Sequence, residues 1–371
     1  MIVGVLGGGQ LGRMLALAGY PLGLRFRFLD PSDQSPAGHL AELQIGAYDD
    51  VPSLERFADG LDAATYEFEN VPEVAARILG ERVPVYPPAI ALETAQDRLS
   101  EKQLFSRLGI PVAPYAAVSS LDDLQSALER IELPAILKTR RLGYDGKGQE
   151  ALRVPADVAP AWEALGGVPC VVEQRIRLRR ELSMLAVRSR DGQTAFYPLV
   201  QNVHREGILR TSVAPAADTA GEVQATAESY VSRILMALEY VGVLALEMFV
   251  DDETGALLAN EIAPRVHNSG HWTIEGAESS QFENHLRAAL GWPLGSTAPR
   301  GHSAMVNLIG AAPATADLLA IPGAHVHLYG KSERPGRKIG HVTVTAETPS
   351  ARDALMAQVV MLVDAVSGDA G

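Results

Sequence analysis

The first thirty residues constrain the fold most. Residues 2–6 (IVGVL) form an apolar run, residues 7–14 (GGGQLGRM) supply a glycine turn and a helix start, and residues 25–30 (RFRFLD) form a second apolar-rich run. Strand, turn, helix and strand in so short a span read as a βαβ unit, whose two strands must lie parallel because the helix carries the chain back across the sheet. A Pro-rich stretch at 83–92 (VPVYPPAIAL) reads as a boundary, so residues 1–96 are assigned to a Rossmann-like parallel-sheet domain.

Beyond it the pattern changes twice. The amphipathic segment DRLSEKQLFSRLG (97–109) is followed by strands at YAAV and AILKTR, a helix at SLDDLQSALERI, the glycine-rich loop GYDGKGQ and a return strand EALRV. That is a small α+β module, assigned to residues 97–170. From VVEQRI (171–176) onward, ELSMLAVRS, TAFYPLVQN, GVLALEMFVD and ALLANEIAP read as longer strands with charged residues set into apolar alternation. A helix with a 3.6-residue period, VQATAESYVSRILMALEY, lies among them, and tail strands are predicted at SAMVNLIG, AHVHLYG and IGHVTVTA. The expected fold class is α/β and α+β, with residues 171–371 as the third unit.

Composition narrows the partners. With 47% hydrophobic residues, 34 Gly and 23 Pro in 371 residues, the chain is neither collagen-like nor disordered. No apolar run approaches the roughly 20 residues of a membrane span, and Met1 leads into IVGVL without a basic n-region, so we expect a cytoplasmic protein without a membrane partner. The single cysteine, Cys170, cannot form an internal disulfide or a Cys-based metal site and is expected to be buried. A net charge of −13 argues against nucleic acid, and means that an anionic ligand must be met by a local cluster of cations.

Five segments could carry chemistry. The turn GGGQLGRM opens a helix whose amides and dipole can hold a phosphate, and Asp30 stands where a dinucleotide site places its acid. A dehydrogenase is thus one reading and an empty tight turn another, although Gln10 does not fit the fingerprint. The three glycines of residues 143–149 allow backbone to approach a polyphosphate, as a lid over ATP, and Lys138 on AILKTR is costly to bury without an anion. Glu247 and Glu261 lie in apolar strands and would repel each other unless a cation such as Mg²⁺ lies between them or arginines pair with them. Residues 264–272 (PRVHNSGHW) pack Arg265, His267, Asn268, Ser269 and His271 into one loop, which suits a polar ligand; zinc lacks a third ligand there. Lastly, Lys331, Arg334, Arg337 and Lys338 form either an anion clamp or a solvated basic turn.

In order along the chain, GGGQLGRM, TYEFENV (65–71), GYDGKGQ (143–149), HREGILRTS (204–212), EIAPRVHNSGHWTIEG (261–276) and RPGRKIGH (334–341) resemble the ATP-grasp ligases and, within them, the N5-carboxyaminoimidazole ribonucleotide synthetases. The resemblance implies an ATP-grasp fold behind the Rossmann-like domain and an ATP- and Mg²⁺-dependent carboxylation of aminoimidazole ribonucleotide by bicarbonate, through carboxyphosphate, in purine synthesis. It also implies a homodimer. By position, it assigns ATP phosphates to Arg98 and Lys138, the lid to Gly143, Tyr144, Asp145, Gly146, Lys147, Gly148 and Gln149, and the adenine hinge to Glu173, Gln174, Arg175 and Ile176. Glu181 and His204 are implied near the nucleotide, and Mg²⁺ at Glu247 and Glu261 with Asn260 beside them. The ribonucleotide falls to Gln10, Leu11, Glu67, Asp145, Arg265, His267, Asn268, Ser269, Lys331 and Arg337, and bicarbonate to Tyr144 and Lys338. Catalysis would rest on Tyr144, Asp145, Lys147, Arg265, His267 and Lys338. Two departures stand out: Ala263 replaces the Asn of the Asn-Pro-Arg that many ATP-grasp enzymes carry, and Leu142 precedes the lid where a second glycine is expected.

Overall fold

A computed structural model describes residues 1–143 and 147–367. Among the described residues the strands form three sheets. The first contains β1 (Ile2–Leu6), β2 (Arg25–Asp30), β3 (Glu42–Ile45) and β4 (Ala63–Tyr66) in the order β3-β2-β1-β4, all parallel. The helix Gln10–Gly19 packs Leu11, Met14 and Leu15 into the core beside Phe26 and Phe28 of β2, as the βαβ reading predicts.

The second sheet holds β5 (Tyr115–Val118), β6 (Ala135–Thr139), β7 (Gln149–Leu152) and β8 (Cys170–Gln174), antiparallel in the order β5-β8-β6-β7. This corrects the expected boundary at 170, which cuts through β8. Residues 170–174 pair with β5 and β6, so they belong with the small module rather than with the long strands. Cys170 is buried there, as expected.

The third sheet comprises β9 (Leu178–Arg188), β10 (Thr194–Phe196), β11 (Val200–Arg205), β12 (Ile208–Ala214), β13 (Gly242–Asp251), β14 (Leu257–Ala263), β15 (His302–Ile309), β16 (Ala324–Leu328) and β17 (Lys338–Ala346). Its order, β14-β13-β9-β11-β12-β15-β17-β16, merges the tail strands into the same sheet as the central ones. TAFYPLVQN, read as one strand, is two. Tyr197 still donates its N–H to Leu185 O, but Pro198 has no N–H to continue the ladder.

Helix Arg98–Arg107 bridges the second and third sheets. Asp97 caps it, accepting from Leu99 N, and Gly109 ends it with φ of 64°. Among the described residues no helix is long and apolar enough to cross a membrane.

Candidate active site

The three sheets and the tail converge on one cleft of about 1740 Å³. Gln10, Leu11 and Glu67 line it from the first sheet, and Arg98, Lys138, Gly143, Lys147, Gln149, Glu173, Gln174, Arg175 and Ile176 from the second. The third sheet and its loops add Glu181, His204, Glu247, Asn260, Glu261, Arg265, His267, Asn268, Lys331, Arg337 and Lys338. Tyr144, Asp145 and Gly146 lie outside the described residues.

Three amides of the glycine turn are taken by carboxylates of the protein itself. Gly8 N donates to Asp30 Oδ2 at 2.8 Å, while Glu67 takes Gly9 N at 2.6 Å and Gly12 N at 2.8 Å. A protein carboxylate thus occupies the amides that a dinucleotide would need, which removes the dehydrogenase reading. Burial pushes Glu67 up, against the pull of those amides and Lys331.

Glu247 on β13 and Glu261 on β14 stand directly opposite each other. The register then slips: Met248 pairs with Ala259, leaving Asn260 as the extra residue of a β-bulge. Consecutive residues of a strand normally face opposite ways, yet here Asn260 and Glu261 both line the cleft. Each carboxylate also has a nitrogen-bearing neighbour, with His267 Nε2 3.0 Å from Glu247 and the Arg98 guanidinium Nη1 3.1 Å from Glu261. Burial opposes ionisation of Glu247, but His267, His204 and Lys338 hold it at about 2. Two adjacent carboxylates, with the remaining positions left to phosphates and water, are what Mg²⁺ accepts, so the donor set fits that ion. Among the described residues no group of three or more His, Cys, Asp or Glu is placed to hold a metal ion.

Glu181 and His204, implied as two nucleotide contacts, pair with each other across β9 and β11. Burial lowers the imidazole, but Glu181 and Glu247 outweigh it and raise its pKa. In the hinge, Gln174 N donates to Pro114 O and Arg175 N to Pro134 O, so two of its amides are spent within the protein. Glu173 is engaged by Lys102 and Lys138. Leu142 takes a φ of 64°, the conformation glycine would adopt freely, with its side chain 78% exposed.

Arg265 pairs with Glu69 of TYEFENV, and Asn268 exchanges amide hydrogen bonds with Asn307. Ser269 does not line the cleft, contrary to its implied role. It is fully buried, bonded to Ser183 Oγ at 2.8 Å and to His267 Nδ1 at 2.9 Å, so it braces the histidine instead. Lys331 contacts Gln10, bringing the tail against the glycine turn.

Several cleft residues escape sequence reasoning. Ile136, Phe249 and Ile262 give it apolar walls beside Ile176 of the hinge. Glu101 is fully buried and accepts Ile262 N at 2.6 Å; burial, with Glu261 adding to it, pushes its carboxyl up to about 8. Lys102 is equally buried. The available signal was a shortage: helix Arg98–Arg107 has only Leu99, Leu104 and Phe105 as apolar residues, too few for a helix wedged between two sheets.

Family profiles match in three stretches: the ribonucleotide synthetase preATP-grasp domain over residues 1–96, the ATP-grasp domain over 103–282, and the phosphoribosylaminoimidazole carboxylase C-terminal domain over 303–354. N5-carboxyaminoimidazole ribonucleotide synthase of Pseudomonas aeruginosa is 54% identical over 365 residues, spanning 98% of this chain and 100% of that protein. The crystal structure of N5-carboxyaminoimidazole ribonucleotide synthetase from Thermus thermophilus superposes with a TM-score of 0.93 at 57% identity, covering 97% of this chain and 98% of the other. A synthase from Aspergillus clavatus, solved in complex with ADP and 5-aminoimidazole ribonucleotide, gives 0.91 at 33% identity over 98% of both chains. With identity spread over nearly its whole length, the chain belongs to the N5-carboxyaminoimidazole ribonucleotide synthase family of ATP-grasp enzymes.

Proposed function

We propose that this chain catalyses the ATP-dependent carboxylation of 5-aminoimidazole ribonucleotide by bicarbonate, yielding N5-carboxyaminoimidazole ribonucleotide, ADP and phosphate in purine biosynthesis. One observation carries the reading: cations and paired carboxylates line the same cleft as the polar residues of the first sheet and the tail. The Aspergillus relative, which holds ADP together with the ribonucleotide, supports it.

Arg98 and Lys138 take phosphate oxygens of ATP, Ile136, Ile176, Phe249 and Ile262 enclose the base beside the 173–176 hinge, and Glu181 with His204 faces the sugar. The lid, residues 143–149, covers the phosphates. Mg²⁺, held by Glu247 and Glu261 with Asn260 alongside, supplies charge neutralisation at the phosphates when bound. A bicarbonate oxygen, oriented by Tyr144 and Lys338, attacks the γ-phosphorus as the bond to ADP breaks, and the cations stabilise the charge spreading over the transferred group. The resulting carboxyphosphate collapses to CO₂ and phosphate. Gln10, Leu11, Glu67, Asp145, Arg265, His267, Asn268, Lys331 and Arg337 hold the ribonucleotide so that its amine captures CO₂ inside the closed cleft, before water can compete.

The domain division that fits this reading falls after residue 96 and after residue 174. We also read the enzyme as a cytoplasmic homodimer, which light scattering on the purified protein tests. The decisive assay measures ADP release with and without aminoimidazole ribonucleotide and bicarbonate. ATP turnover that is indifferent to the ribonucleotide overturns the assignment.

A further inference from the structure

Two lysines share one carboxylate in the wall of the cleft. Lys102 Nζ lies 3.0 Å from Glu173 Oε2 and Lys138 Nζ 3.1 Å from Glu173 Oε1, with side-chain exposures of 2% for Lys102, 9% for Lys138 and 4% for Glu173. Two ammonium groups on one carboxylate leave one positive charge in excess, in a place where uncompensated charge is expensive. Burial opposes ionisation of Glu173, yet Lys138 and Lys102 hold it at about 2. Burial lowers Lys138.

The two lysines are placed differently. Lys138 and Glu173 line the cleft, whereas Lys102 does not; it reaches Glu173 from helix Arg98–Arg107. Lys102 thus stands behind Glu173 rather than on the cleft surface. If Lys138 stood alone with Glu173, the two would form a closed neutral pair, and drawing its ammonium towards a phosphate would strand a buried carboxylate. With Lys102 in place, Glu173 keeps a cation whichever way Lys138 turns, and the charge excess is matched only when an anion arrives.

We infer that Lys102 is a positioning residue for nucleotide capture: it retains Glu173 so that Lys138 is released to a phosphate oxygen. This rests on Lys138 being a phosphate contact, as proposed above.

The test is calorimetric titration of the full chain with Mg²⁺ and a non-hydrolysable ATP analogue. Lys102→Met should weaken binding at least about tenfold, the equivalent of roughly 1.4 kcal/mol, and raise the KM for ATP more than it lowers kcat. Lys102→Arg, which keeps the charge, should stay within about threefold of the parent. Once Glu173 is neutral there is nothing for Lys102 to retain, so Lys102→Met/Glu173→Gln should bind like Glu173→Gln alone. Should Lys102→Met melt too early to assay, that second comparison decides by itself. Unchanged affinity in Lys102→Met overturns the inference, as does a further loss in the double variant as large as in the single one, which would mark a purely structural lysine. Lys138→Met separates the two readings. If it binds the analogue normally, the phosphate role of Lys138 falls; if it loses binding while Lys102→Met does not, only the role of Lys102 falls.

Discussion

Glu67 and Glu173 are both buried carboxylates in the wall of one cleft, and they are held in opposite ways. Glu67 is fixed by the backbone amides of Gly9 and Gly12, and burial still pushes it towards protonation. Glu173 is fixed by two lysines and stays ionised, at about 2. Amides belong to the backbone and cannot leave, whereas an ammonium on a four-carbon stem can swing to another partner. The first-sheet wall is therefore preformed, and the second-sheet wall is built for exchange. A glycine-rich turn, the usual sign of a phosphate site, here satisfies an acid of its own chain.

The sharpest way to break this contrast is Lys138→Met. It should lower kcat/KM for ATP by about a hundred- to a thousandfold, roughly 3–4 kcal/mol, while the melting temperature holds because Lys102 still pairs with Glu173. Near-normal turnover would mean that the pair never opens.

Next in size is the tie that keeps the first wall rigid. His285, on the helix Gln281–Leu290, bonds Thr65 of β4 at 2.8 Å through Nε2, and its Nδ1 accepts Val243 N of β13 at 3.1 Å. Val243 donates, so Nε2 carries the proton and the ring must be neutral. Burial lowers its pKa from 6.5 to about 4. Above pH 6.5 folded and unfolded rings are both neutral and stability is unaffected. As pH falls towards 4 the unfolded ring binds a proton that the folded one refuses, so stability drops by up to roughly 3 kcal/mol. Denaturant melts at pH 7 and pH 4.5 should show a slope that His285→Gln flattens.

A smaller effect is expected from Glu67→Gln. The amide keeps one acceptor oxygen but sets an N–H₂ against a backbone N–H, costing about 1–3 kcal/mol in unfolding free energy. Affinity for the ATP analogue should not move. A loss comparable to that of Lys138→Met would erase the distinction between the two walls. Least of all, Leu142→Gly removes a largely exposed side chain from a left-handed position, and should raise stability by under about 1 kcal/mol, read by thermal melts.

Much of this was legible in the sequence. Apolar runs and the 3.6-residue period placed the first two strands of the first sheet, the helix between them and most later strands, while β3 and β4 carried no such signal; apolar alternation around Glu247 and Glu261 located two acids that prove to face each other. Other features depend on contacts distant in the chain. Whether β8 joins the small sheet or the large one is decided by its partners β5 and β6, not by its own apolar residues. Ser269 reads as a loop donor until Ser183, eighty-six positions away, is seen to donate to its hydroxyl oxygen. Glu101 and Lys102 look like a solvated helix face, because a buried charge and a surface charge are spelled with the same letters.

The bulge at Asn260 adds a constraint of another kind. Removing that one residue would leave Glu247 opposite Glu261 and Met248 opposite Ala259, a regular ladder with every other pairing unchanged. Replacing Asn260 alters a functional group, but deleting it abolishes the place where the group stands. Along β14, then, the number of residues is under as much constraint as their kind, and a chain one residue shorter could not recover a second donor beside Glu261 by any substitution at the neighbouring positions.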